Sequence, residues 1–282
     1  MRFSLATMTR RARNPRRSVI PIRPIKAPAL RASELYGAAY ADLVKLWASA
    51  EPAIIDAYAR TLSEMTTDAP GDVAVQIGAV ENLAGALALT IRIRLENWAR
   101  RLEVWHRGRW RANVLTATGV DLATLISPGD ARTTIETAIE RNVELVKSVS
   151  DQARQRIADS VFRGFQRRAE PREVAKEIRE AVAMARRRAI NIAADQTTTL
   201  ASQLDQERRR QAGIDSWFWV SSGKAHPREE HRARNGNLYS ESADRVGQQY
   251  EGQKILKPPP ADDLPGVPIH CGCTSRSCLI ID

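Results

Sequence analysis

The chain has 282 residues, 43% of them hydrophobic and 27% charged, with a formal net charge of +10. That length allows a buried core in one domain or two. Three cysteines, two of them one residue apart, exclude a disulfide framework and fit a reducing compartment or a metal site. The N-terminal residues lack the apolar centre of a secretory signal, and no continuous apolar run of about eighteen residues is present to span a membrane.

The charge is concentrated. Positions 1–31 hold nine Arg and Lys and no acid, so the excess is a basic leader on a nearly neutral body. Arg10, Arg11, Arg13, Arg16 and Arg17 cluster among Pro15, Pro21, Pro24 and Pro28, which predicts a disordered basic arm over residues 1–30. Such a cluster can neutralise phosphates without reading base sequence, which makes the five arginines candidate nucleic-acid contacts. An arm that orders only against a partner protein is the alternative.

Residues 31–128 read as a helical N-terminal domain. Ser33 can cap a helix carrying Leu35, Ala39, Leu43, Leu46 and Trp47; Glu51-Pro52 interrupts it, and a second helix follows over 53–65. Residues 68–72 form a loop by their turn chemistry. Ile77, Val80, Leu83, Leu87, Ile91, Leu95, Trp98 and Leu102 then mark one face of a long helix over 73–105. Trp98, Trp105 and Trp110 among many arginines admit stacking on nucleic acid, but their helical spacing favours a packed core. Residues 119–128 are a connector.

Residues 129–282 read as a second domain, with helices over 131–212 and a small α+β module over 213–282. Ile135, Ile139, Val143, Val146, Val149, Ala153, Ile157 and Val161 form one apolar stripe. Glu170-Pro171 restarts a helix with proline at its favoured first position, and Gly213 stops it. The polar patch from Gln196 to Thr199, with three consecutive threonines, is predicted to face a partner element. Trp217 to Val220 reads as a strand, with Leu238-Tyr239 and residues 274–281 as antiparallel partners. Residues 247–268 read as a proline-rich loop over that sheet. The fold class is therefore α+β and predominantly α-helical, a long helical body with a small C-terminal antiparallel β module.

Three of the four histidines and all three cysteines lie between His226 and Cys278. Residues two apart in extended backbone share a face, so Cys271 and Cys273 can reach one ion. With His231 they are candidate ligands of a structural zinc, and His226, His270, Asp262 or Asp263 could complete the shell. The alternative has no cofactor: His231 hydrogen-bonds to the loop, the cysteines pack as small apolar groups, and Cys278 is an ordinary strand residue. A metal-dependent nuclease centre built from His226, His231, Glu229 and Glu230 is the enzymatic rival. Adjacent acids on a short helix point to different sides, and no glycine-rich phosphate cradle accompanies them, so no catalytic residue is assigned.

Taken in order, NVELVKSVSDQARQRIADSVFRG, PREVAKEIRE, RAINIAADQTTTLASQLDQERRRQAGIDSWFWVSS, His231 ahead of RARNGNLY, and PPADDLPGVPIHCGC resemble the head morphogenesis family typified by the F protein of phage Mu. The resemblance covers residues 135–282. Ala194 and Gly272 stand where that family has arginines, and the acid expected ahead of the histidine segment is missing from GKAHPREEH. The resemblance implies a non-catalytic minor head protein of a tailed phage or prophage, acting in head morphogenesis or the handling of packaged DNA. Implied partners are a portal protein, other capsid proteins and packaged DNA through the basic arm, without a membrane and with an oligomeric state set by the virion. The implied location is the phage head near the portal vertex, and the host cytoplasm during assembly. A nucleic-acid-binding protein acting through the arm is the other non-enzymatic reading.

Overall fold

The computed structural model describes residues 3–13, 18–64 and 70–281. The helices are α1 (Leu5–Arg13), α2 (Ala29–Leu35), α3 (Ala41–Ser49), α4 (Glu51–Glu64), α5 (Pro70–Thr118), α6 (Arg132–Arg167), α7 (Pro171–Ala212) and α8 (Glu229–Ala233). The strands are β1 (Val19–Pro21), β2 (Ser216–Val220), β3 (Leu238–Ser240), β4 (Gln249–Tyr250), β5 (Gln253–Leu256) and β6 (Thr274–Ile280). With 67% of the chain helical, the α+β, mostly helical class read from the sequence holds. Two compact units emerge, each discontinuous in sequence. The first comprises Met1–Arg31, Ala99–Thr137 and Asp195–Asp282; the second comprises Ala32–Trp98 and Ala138–Ala194.

The second unit is built on helical periodicity. Ile139, Val146, Val149, Ala153, Ile157 and Val161 of α6 are buried, as their spacing requires. Trp47 of α3 is buried and donates its indole N–H to Ser150 Oγ at 3.1 Å. Where α6 gives way to α7, Tyr58 donates to the Ala169 carbonyl at 2.8 Å and packs on the Phe165 ring at 4.6 Å. Gly164 makes this approach possible, because a Cβ there would lie 2.7 Å from Val174 Cγ2 and 3.1 Å from the Tyr58 hydroxyl. Of the loop expected at 68–72, residues 68 and 69 lie outside the described residues, and Pro70, Gly71 and Asp72 open α5 instead.

Helix α5 also runs past its expected end, because Trp110 and Val114 continue the buried face to Gly119, whose φ of 76° ends it. Trp98 and Trp110 are core residues, as their spacing suggested. One difference concerns hydropathy. Residues Gly71–Thr118 contain an 18-residue window of mean hydropathy 1.4, 22% buried, so by length and composition this helix is long and apolar enough to cross a membrane, where no such stretch was expected.

The first unit holds the sheet, in the order β1-β6-β2-β3-β5-β4. Strand β2 lies antiparallel to both β6 (Ser216↔Cys278 to Val220↔Thr274) and β3 (Ser216↔Ser240). The two-residue alternation sends Phe218 to a cluster with Val19, Leu238, Ile255, Cys278 and Ile280. Trp217 and Trp219 face the other way, towards Tyr239, Cys271 and Cys273. Within the expected loop at 247–268, β4 and β5 form short strands, and β5 pairs with β3 in parallel.

Of the disordered arm expected over residues 1–30, residues 1, 2 and 14–17 lie outside the described residues, and the described part is ordered in α1 and β1. Leu5 of α1, Ile22 and Ile25 join Trp110, Val114, Leu122, Ile214 and Leu279 in a buried cluster. Strand β1 adds to the edge of the sheet through Val19↔Ile280 and Pro21↔Cys278, and Ile22 N–H donates to the Ser277 carbonyl at 2.8 Å. Pro21 is tolerated because an edge strand has a side on which a missing N–H breaks no ladder. A few well-spaced apolar residues outweighed the arginines and prolines.

Candidate metal centre

Strand β2 and the turn after it place His231. The Gly236 N–H bonds the Trp219 carbonyl at 2.8 Å and the Trp219 N–H bonds the Asn237 carbonyl at 3.0 Å, returning the chain to β3. Gly236 adopts φ 85°, which suits glycine at this turn. The single-turn helix α8 lies between, with His231 buried beneath it and its ring edge-on to Trp219 at 5.0 Å.

The loop from residue 257 to 273 places the cysteines, and α7 holds that loop. Thr199 Oγ1 donates to the Gly266 carbonyl at 2.9 Å, and the Ser202 hydroxyl donates to the Pro265 carbonyl. Asp195 Oδ1 accepts from the His270 N–H at 2.6 Å. Gly266 has φ 79°, and a Cβ there would lie 2.9 Å from Ser202 Cβ, so backbone and packing both demand glycine. Thr199 of the polar QTTT patch thus meets a loop, where the sequence anticipated an unspecified partner element. From outside, Lys224 Nζ donates to the His270 carbonyl at 2.6 Å and Arg228 Nη2 to the Ile269 carbonyl at 3.0 Å.

These elements bring His231, Cys271 and Cys273 together, with one ligand atom of each within 4.8 Å of the others. All three are buried, at 2%, 5% and 2% exposure. Cys271 Sγ lies 3.5 Å and Cys273 Sγ 3.9 Å from His231 Nδ1. On the far side of the ring, Nε2 meets Asp263 Oδ1 at 2.9 Å, and Asp263 Oδ2 accepts from Arg234 Nη1 at 2.6 Å. Burial works to raise the Asp263 carboxyl, but the hydrogen bonds from His231 and Arg234 outweigh it and hold the group below its usual range. A hydrogen bond from the Cys273 thiol, assisted against burial by the N–H groups of Gly266 and Cys273, draws Cys271 down to about 5. The same donation, with burial, drives Cys273 up.

The other sequence candidates lie elsewhere. His226, His270 and Asp262 are exposed, and Asp263 occupies the opposite ring nitrogen rather than the cysteine side. Glu229 and Glu230 are exposed while His231 is buried, so the structure does not assemble the nuclease constellation among the described residues. Arg10 and Arg11 are exposed on α1; the side chain of Arg13, and Arg16 and Arg17, lie outside the described residues. Cys278 packs in the separate cluster with Phe218.

Sequence reasoning missed a buried charged network beside the cluster. Arg209 Nη1 donates to Asp205 Oδ2 at 3.1 Å and to Ser275 Oγ at 2.6 Å, and Ser275 Oγ donates to Asp205 Oδ2 at 2.8 Å. Arg209 also lies over the Trp217 ring, 5.4 Å from its centroid. One residue earlier, the fully buried Arg208 pairs with Glu103 and donates to Gln211 at 3.2 Å. Burial raises both Asp205 and Glu103, with the arginines opposing it. Burial, and secondarily Arg208, pushes His106 down to about 3, so that imidazole stays neutral in the fold. The i,i+4 spacing of Asp205 and Arg209 was the available signal, and it is shared by ordinary surface pairs.

Residues 155–276 match the model of the family described as Phage Mu protein F like protein, which bears out the resemblance read from the motifs. An uncharacterized protein of Haemophilus influenzae (strain ATCC 51907 / DSM 11121 / KW20 / Rd) is 25% identical over 162 residues, covering 57% of this chain and 33% of the relative. The chain thus spans about a third of the length of that curated relative. No solved structure matches the chain.

Proposed function

From residues 155–276, which match the model of the Phage Mu protein F like family, we propose that the chain is a minor head protein of a tailed phage or prophage. It acts in head morphogenesis beside the portal vertex and in handling packaged DNA. The match carries this reading, because it spans the whole site: the end of α6, all of α7, the sheet strands β2 to β5 and the loop that closes on Cys271 and Cys273.

A non-catalytic role is supported by the closure of the His–Cys cluster. Its three residues are buried, its histidine is held on the outer nitrogen by Asp263, and the loop above it is tied to α7 at three points. A hydrolase needs a group poised on water in an open site. Arg10 and Arg11, exposed on a helix in the acid-free N-terminal stretch, support contact with polyphosphate.

The test is to express the chain together with a portal protein from the same genome and to analyse assembled particles by mass spectrometry. We expect the chain to co-purify with the portal protein and to be present in particles. Particles that lack the chain would overturn the reading.

A further inference from the structure

We propose that His231, Cys271 and Cys273 bind one Zn²⁺ ion, which fastens the end of the 257–273 loop to helix α8. The argument begins with the proton on the imidazole. Asp263 is held by Arg234 and acts as an acceptor towards Nε2, so Nε2 carries the hydrogen and Nδ1 presents its lone pair. That lone pair faces two sulfurs at once, at 3.5 and 3.9 Å. The three donor atoms converge on one point, so a single metal ion there would bond the nitrogen and both sulfurs at once.

The spacing fits. Zn–S bonds of about 2.3 Å and Zn–N bonds of about 2.0–2.1 Å at a tetrahedral angle separate sulfur from nitrogen by about 3.5 Å. Asp263 then plays the part of the outer carboxylate that orients a metal-bound histidine and raises its basicity. The Gly266 N–H, 3.4 Å from Cys271 Sγ, supports a thiolate.

The chemistry selects the metal. Two thiolates and an imidazole are a borderline-soft set that suits Zn²⁺ and not Mg²⁺ or Ca²⁺. Two thiolates also cancel the dication, so the occupied site is neutral and tolerates burial. The three protein donors supply three of the four tetrahedral positions.

The scaffold gives the ion a task. The loop from residue 257 to 273 contains five prolines and, besides its cysteines, buries only Pro265 and Gly266. It has little apolar surface with which to hold itself down. A metal bridge between α8 and the end of the loop supplies that attachment and adds to the three ties from α7.

The experiment measures metal content on the full chain, purified under reducing conditions without a polyhistidine tag. We expect about one zinc per chain by elemental analysis, a near-complete loss in Cys271→Ser and in Cys273→Ser, and retention in Cys278→Ala. Asp263→Asn, which leaves every ligand in place, should weaken zinc affinity by about 10–100-fold in competition with a chromophoric chelator. Loss of fold in the cysteine variants would not obscure the answer, because the wild-type chain carries its own readout. Stripped and reloaded with Co²⁺, it should show a thiolate-to-cobalt charge-transfer band. A wild-type chain that holds no zinc as purified and takes up neither metal when reloaded overturns the proposal, as do cysteine variants that bind as tightly as wild type.

Discussion

The two compact units solve the problem of burial differently. In the second unit the buried polar residues among those described are Thr61, Asn142 and Ser160, all uncharged. In the first unit, Glu103, His106, Asp205, Arg208, Arg209 and His231 are all buried. Large apolar side chains lie exposed along the second unit's share of α5, with Val75 at 66%, Leu83 at 58%, Leu89 at 83% and Ile93 at 66%. Helices can be assembled from periodic apolar stripes alone. A short-stranded sheet under an irregular loop cannot, and here directional hydrogen bonds and ion pairs supply the specificity that apolar area does not.

That contrast predicts unequal responses to substitution. The largest should come from Arg209→Met, which leaves Asp205 buried without its charge partner. Breaking a buried pair from one side costs about 3–5 kcal/mol, to be read by denaturant unfolding. Replacing Asp205 and Arg209 together with apolar residues should recover most of that loss. A single-variant cost below about 1 kcal/mol would erase the distinction between the units.

In the second unit the sensitive feature is shape. Gly164→Ala should cost about 1–3 kcal/mol by overpacking against Val174 and Tyr58, measured in the same way. No charged substitution partner should rescue it.

The pH dependence sharpens the comparison further. His106 is pushed down to about 3 in the fold, while an unfolded histidine titrates near 6.5. Between these values the unfolded chain binds the proton and the folded chain does not, so this group's contribution is intact above 6.5 and is lost as the pH falls. The expected slope is about 1.4 kcal/mol per pH unit. His106→Leu should flatten the acid limb of the stability curve by that amount, and parallel curves for the two proteins would contradict the assignment.

How far the sequence reached follows the same division. The α6 stripe, the Pro171 restart, the Gly213 stop and the strands at 216–220 and 274–280 are written in periodicity and turn residues, and all are present. The Gln196–Thr199 patch announced a polar contact without naming the loop that receives it. Strand β1 was hidden because three residues carry no period, and five clustered arginines dominated the local composition. Asp205 and Arg209 were hidden because burial is a property of the fold and not of the spacing. For the same reason His231, Cys271 and Cys273 were legible as a group, while the assignment of Asp263 to the outer nitrogen was not.

The glycine between the two cysteines carries one more consequence. A Cβ on Gly272 would sit 3.0 Å from Lys224 Cε and 3.5 Å from Lys224 Nζ, and that ammonium is anchored on the neighbouring His270 carbonyl. The resemblance places an arginine at position 272, where this chain has none. Lys224 brings a positive charge close to Gly272 from the turn after β2. A side chain introduced at position 272 would therefore have to push that lysine off the His270 carbonyl, loosening the turn after β2 from the end of the cysteine loop.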